Sequence, residues 1–214
     1  MKKVDIAVVD YGMGNLRSVS KALEHVAPTK NVVVSSEPEI IMAAERVVFP
    51  GQGAMPDCIR ELDLRGLRQV VTEATQKKPF LGICIGLQML FDRSEEGDAD
   101  GLKIFSGAVK RFAAEDMHDE AGAKLKVPHM GWSRVEQTVT HAMWEQIDDG
   151  ERFYYVHSYY VAPNDATLVA GETSYPKPFT CAIAKDNLFA VQFHPEKSAQ
   201  AGLQLLSNFV HWNP

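Results

Sequence analysis

The chain has 214 residues, 45% hydrophobic and 23% charged, enough for a sizeable core that needs no covalent staples. A net charge of −6 without any run of Lys or Arg argues against nucleic acid or an anionic membrane as partner. Cys58, Cys84 and Cys181 form neither a disulfide framework nor a CxxC metal pair, which points to a reducing compartment, the cytoplasm.

The N-terminus, MKKVDIAVVDYGMGN, is interrupted by Asp5 and Asp10, so it reads as a first strand and not as a signal peptide. No apolar segment approaches membrane-spanning length. Val4 to Val9 is predicted as a buried strand. Asn15 is set to cap a helix marked by Leu16, Val19, Leu23 and Val26. Between them, Gly12-Met13-Gly14 falls short of a dinucleotide fingerprint, because Arg17 stands where the third glycine belongs. A tight strand-to-helix turn, or a partner-facing loop at a sheet edge, both fit it. A strand at Val32 to Val34, a short helix at Glu37 to Ala44 and a strand at Arg46 to Phe49 follow. The last runs into Pro50-Gly51-Gln52-Gly53, either a plain turn or a loop whose backbone N–H groups face a ligand. Pro56 to Thr75 is helical, broken near Gly66.

Phe80 to Ile83 is an apolar run ending on Gly82-Ile83-Cys84-Ile85-Gly86, and Leu87, Leu90 and Phe91 then fall at helical spacing. A strand that breaks sharply into a helix exposes its turn residue, and glycines two before and two after allow a close crossing. This is the plan of a nucleophile elbow with Cys in place of Ser; the competing reading is a buried Cys in a glycine turn. A thiol at a helix N-terminus is also favoured as thiolate.

Ser94 to Gly101 is acidic and reads as a surface loop, and Ala113 to Lys124 as a solvated loop or hairpin tip. Short strands are predicted at Val109–Phe112, Leu125–Val127, Phe153–Val156, Thr167–Ala170, Cys181–Ala184 and Leu188–Phe193, with a hairpin turning at Lys185-Asp186-Asn187. Ala199 to Trp212 closes the chain as a helix. Alternating strands and helices, then a strand-rich half, predict an α/β fold. Its central sheet is mostly parallel and flanked by helices, with additional antiparallel strands, in one domain spanning residues 1–214.

The strand Phe189 to Phe193 delivers His194-Pro195-Glu196, a base and an acid able to orient it. Alone, a His-x-Glu is more often a strand-end pair on the surface. With the elbow it completes a thiol-activating set, at strand ends where α/β active sites form. Cys58 and Cys181 lack elbow context and read as packing residues. His25, His118, His129, His141, His157 and His211 show no metal spacing, so no metal or other cofactor is expected. The aromatic run Phe153 to Tyr160, with polar His157 and Ser158, is a candidate pocket wall.

Gly82-x-Cys84-x-Gly86-x-Gln88 together with His194-Pro195-Glu196 resembles the class I (triad-type) glutamine amidotransferases, which have a flavodoxin-like α/β fold. Within that family, Val9 to Leu16, Val127 to Trp132, His157-Ser158-Tyr159 and Glu196-Lys197-Ser198 look like the glutaminase subunits of imidazole glycerol phosphate synthases. The resemblance implies that Cys84 forms a glutamyl thioester, His194 shuttles the proton and Glu196 orients it. It implies an oxyanion site from backbone N–H groups of Ile85, Gln52 and Gly53. Glutamine would be held by Gly51, Gly53, Gln88, Ser158 and Tyr159. It further implies a heterodimer with a (β/α)8-barrel cyclase that receives the ammonia, consistent with a chain filled by the glutaminase, and a docking face at Tyr11, Asn15, Pro128, His129 and Trp132. Gln52 and Ser133 depart from the pattern, where a small aliphatic residue and Asn are expected. Glutaminase subunits for anthranilate or GMP synthesis, a non-catalytic regulatory α/β protein, and a thiol peptidase or γ-glutamyl hydrolase are the competing readings.

Overall fold

A computed structural model of the chain describes residues 3–113, 115, 117–118 and 122–214. The first half alternates: β1 (Ile6–Val9), α1 (Leu16–Val26), β2 (Val32–Ser35), α2 (Pro38–Ala43), β3 (Arg46–Gly51), α3 (Met55–Leu64), α4 (Arg68–Lys77), β4 (Phe80–Cys84) and α5 (Ile85–Gln88). Then come β5 (Phe91–Ser94), β6 (Ala99–Asp100), β7 (Phe105–Arg111), β8 (His129–Arg134), β9 (Glu136–Gln137), β10 (Arg152–His157), β11 (Tyr159–Pro163), β12 (Val169–Ser174), β13 (Pro178–Lys185), β14 (Leu188–Val191) and α6 (Ala199–His211).

The main sheet runs β2-β1-β3-β4-β14-β13-β11-β7-β5-β6. Its first five strands pair in parallel, and β13 and β11 attach to them antiparallel. The parallel strands are continuous apolar runs; β1, β3 and β4 are buried along their whole length, as strands covered on both faces must be. Helices α1 and α6 pack together, and α2 packs with α4. The chain steps out from β1 to β2 and back past β1 to β3, and the right-handed rule for parallel crossovers then puts α1 and α2 on opposite faces. No helix among the described residues is long and apolar enough to cross a membrane.

Several expectations need correction. The helix after Cys84 is one turn long and does not run through Phe91. Leu87, Met89, Leu90 and Phe91 are all buried. The backbone carbonyls of Met89 and Leu90 are taken by N–H groups of Leu102, Ile104 and Phe105, so ladder pairing captures the chain at β5. Ser94 to Gly101 is the β5–β6 hairpin and not a plain loop, with Ser94 buried. Leu125 to Val127 is not a strand; the strand is β8, which begins two residues further on at His129. Thr167 begins in a single 3-10 turn, Ala166–Leu168, before β12. The stretch 113–124 lies partly outside the described residues, although His118 bridges Lys124 and Met117 is buried. Asn15 caps no backbone N–H of α1 with its side chain; its Oδ1 instead accepts from the Ser18 hydroxyl at 2.9 Å.

Strands β8 and β10 form a separate antiparallel pair, with His129 opposite His157 and Trp132 opposite Tyr154. Alternation along β8 turns Met130 and Trp132 outward, 62% and 48% exposed, and His129 inward.

Candidate active site

Cys84 is the last residue of β4 and the first before α5, with φ 56° and ψ −110°, a left-handed conformation that costs a side-chain-bearing residue on the order of 1–3 kcal/mol. The surrounding packing holds it there. A Cβ on Gly86 would stand 1.9 Å from the Phe49 carbonyl oxygen, and one on Gly82 2.9 Å from the Ala190 Cβ. The glycines thus permit the close crossing of α5 over β3 and β4 that the motif predicted.

His194 follows β14, which lies beside β4 in parallel register. Its Nδ1 lies 2.9 Å from Glu196 Oε1, which leaves Nε2 free to act on Cys84, with which His194 shares a pocket wall. Burial opposes charging this ring. The Cys84 sulfur and the Glu196 carboxylate beside it outweigh that, and His194 is pushed up to about 10. One turn of helix offers few aligned peptide dipoles, so His194 rather than α5 is the group placed to offset negative charge on the sulfur. The turn Pro195–Lys197 that carries Glu196 is braced by Ser198, whose hydroxyl donates to the His194 carbonyl at 2.6 Å and accepts the Tyr154 N–H at 2.9 Å. By contrast, burial pushes the Cys58 thiol up to about 11 and Cys181 to about 12, which leaves both inert.

Cys84 opens into a pocket of about 310 Å³ that Gln52, Gly53, Ile85, Gln88, Ser158, Tyr159 and His194 also line. Nine expected residues thus converge, counting Glu196 behind His194. Gly51 does not reach this wall. It pairs with Cys84 in the β3–β4 register and is buried beneath the elbow, where a Cβ would stand 2.7 Å from that of Ile85. Of the expected docking residues, Pro128 and Trp132 are exposed and Asn15 is half-buried. Tyr11 and His129 are not surface residues. Tyr11 has no exposed area, because its ring packs on Phe49 and its hydroxyl lies under Gly51. His129 is stacked between Tyr155 and Tyr175, with ring centroids at 4.8 and 3.9 Å. The loops that carry them still border the site: Met13 sits against Gly53, and Pro128 lines the pocket.

Three lining or supporting residues were given no site role in the sequence reading. Glu96, brought to the pocket by the β5–β6 hairpin, accepts the Met55 N–H at 2.7 Å; in the sequence it is one acid in an acidic run. Lys197 lies at the pocket beside the triad. Gln192 has no exposed surface and donates to the Cys84 sulfur at 3.6 Å. Its only signal was a polar residue inside the apolar run before His194. Among the described residues no cluster of His, Cys, Asp or Glu has the geometry of a metal site.

A family model described as "Glutamine amidotransferase class-I" matches residues 7–212. The chain is 64% identical to "Imidazole glycerol phosphate synthase subunit HisH" of Thiobacillus denitrificans, covering 99% of this chain and 92% of that protein. It is 66% identical to the protein of the same name from Nitrosospira multiformis, covering 98% and 99%, and 65% to that of Aromatoleum aromaticum, also covering 98% and 99%. Among solved structures, a glutamine amidotransferase superposes with a TM-score of 0.71 at 14% identity, over 96% of this chain and 97% of the other. A Thermoplasma acidophilum protein described as a putative GMP synthase subunit gives 0.70 at 15% identity, over 99% and 94%. These two likenesses speak for the fold alone.

Proposed function

The chain belongs to the class-I glutamine amidotransferases, and we propose that it is the glutaminase subunit of an imidazole glycerol phosphate synthase, working in histidine biosynthesis in the cytoplasm. One observation carries the reading: Cys84, held in a left-handed backbone at the strand–helix junction, shares a pocket with a His194 whose Nδ1 is fixed by Glu196 at 2.9 Å. Near-full-length identity of 64–66% to proteins named as HisH supports the choice of synthase over relatives that serve anthranilate or GMP formation.

In this reading the Cys84 thiolate attacks the γ-carboxamide carbon of glutamine. Negative charge collects on the carboxamide oxygen, and backbone N–H groups of Ile85 and of Gln52–Gly53 stabilise it. His194 gives its Nε2 proton to the nitrogen, the C–N bond breaks, and ammonia leaves a glutamyl thioester on Cys84. His194, now neutral, takes a proton from water, which attacks the thioester; glutamate departs and the sulfur regains its charge. Glu196 keeps the ring in the tautomer both steps need. Gln88, Ser158 and Tyr159 hold the substrate, and the Glu96 carboxylate faces its α-ammonium group.

Ammonia is mostly protonated at neutral pH and then not nucleophilic, so a productive enzyme passes it on under cover. The partner is a (β/α)8-barrel cyclase that converts a phosphoribulosyl-formimino nucleotide to imidazole glycerol phosphate and aminoimidazole carboxamide ribotide. It docks over the pocket mouth at Asn15, Pro128 and Trp132, and residues 1–214 act as one glutaminase unit. The test uses glutamine labelled with ¹⁵N in the side-chain amide, supplied to the chain mixed with the cyclase and the nucleotide. The label is expected in the imidazole ring. Label passing instead to anthranilate or GMP, with those synthases in place of the cyclase, would overturn the assignment.

A further inference from the structure

Gln192 sits two residues before His194, fully buried, with its side chain on the nucleophile. Accounting for donors fixes which way its amide points. The Tyr159 carbonyl can only accept, so the group of Gln88 that lies 3.0 Å from it is the Nε2 amino group. The second N–H of that group goes to Gln192, 3.0 Å away, which must therefore present Oε1. The Gln192 NH₂ is left facing the Cys84 sulfur.

The same accounting runs outward. The Tyr159 carbonyl also accepts from His157 Nδ1 at 2.7 Å, so His157 Nε2 is a bare acceptor. His129 Nδ1 supplies its proton at 3.1 Å, which leaves His129 Nε2 to accept the Ser133 hydroxyl at 2.9 Å. An extended strand would hold residues 129 and 133 about 13 Å apart. Strand β8 therefore bends, and Gly131, with φ 149°, is where it can. The direction of every link holds only while both rings stay neutral. Burial keeps them so, lowering His129 to about 4 and His157 to about 3.

We propose that Gln192 stabilises the Cys84 thiolate by donating an amide N–H to the sulfur. The hydrogen-bonded line from half-buried Ser133 through His129, His157, the Tyr159 carbonyl and Gln88 holds that amide in place. The partner-facing strand β8, which exposes Met130 and Trp132, is thereby connected to the nucleophile. This rests on the reading of Cys84 as the attacking thiolate and adds what sets its basicity.

The test measures the rate of Cys84 alkylation by iodoacetamide across pH in the full chain, with the labelled site identified by peptide mass. Gln192→Met conserves volume and removes the donor. Its labelling midpoint is expected to rise by about one pH unit, since a charge-assisted hydrogen bond is worth about that much. His129→Phe keeps the ring stack and loses both nitrogens; its midpoint is expected to rise less. The double variant is expected to match Gln192→Met alone. An unchanged midpoint in Gln192→Met overturns the role of Gln192, and fully additive shifts overturn the line. Should a variant fail to fold, the unsubstituted chain decides. The ¹⁵N resonance of the Gln192 side-chain amide is expected to move with the Cys84 titration, and a resonance that does not move overturns the proposal. No labelling of Cys84 at any pH would instead remove the nucleophile itself.

Discussion

At the scale of single residues, the site depends on one backbone angle and one hydrogen bond. The positive φ of Cys84 lifts its sulfur into the pocket, and the bond from His194 Nδ1 to Glu196 aims Nε2 back at that sulfur. Glu196→Gln keeps the size of the side chain and removes its charge. A carboxamide can present its NH₂ to the ring and stabilise the wrong tautomer, so kcat in the complex is expected to fall by about 10²–10⁴-fold with KM little changed. Steady-state glutamate release checks this. The triad was legible because its members lie in two short, contiguous motifs whose chemistry is set by residue type. Gln192 and Glu96 were not, because their roles come from what the fold sets beside them. Tyr11 and His129 were expected at the surface because their loops border the site. A loop's position does not say which way each side chain turns, and both turn in against aromatic rings.

At the scale of elements, the β4–α5 junction shows how steric detail supports chemistry. The Gly86 Cα passes so close to the Phe49 carbonyl that even a methyl group has no room. Gly86→Ala is expected to lower stability by about 1–3 kcal/mol, read as a reduced urea midpoint, and to lower Cys84 labelling as the elbow shifts. The parallel strands were readable from continuous apolar runs bounded by turns, and α1, α3, α4 and α6 from their periodicity. The length of α5 was not. Leu87, Leu90 and Phe91 keep helical spacing, yet the backbone there is claimed by residues 102–105, a pairing that no local pattern announces. Strand β8 was missed for a related reason: its partner β10 lies some twenty residues on, and its outward residues Met130 and Trp132 are apolar yet exposed, which hides the inside–outside alternation.

At the scale of the whole molecule, parallel pairing of β3, β4 and β14 delivers the Gly51–Gly53 loop, Cys84 and His194 to one edge of the sheet. The loops at residues 11–15 and 128–132 border the same pocket, so whatever docks on them covers the chemistry. A glutaminase that released ammonia without a recipient would lose it as ammonium, which is the physical reason for coupling turnover to a docked synthase. The direct test is glutamate release by the chain alone, with the barrel cyclase, and with the cyclase and its nucleotide ligand. The expected result is very little release alone and the highest rate when both cyclase and ligand are present. Full-rate turnover by the isolated chain, unchanged on adding the cyclase and its ligand, would contradict the account.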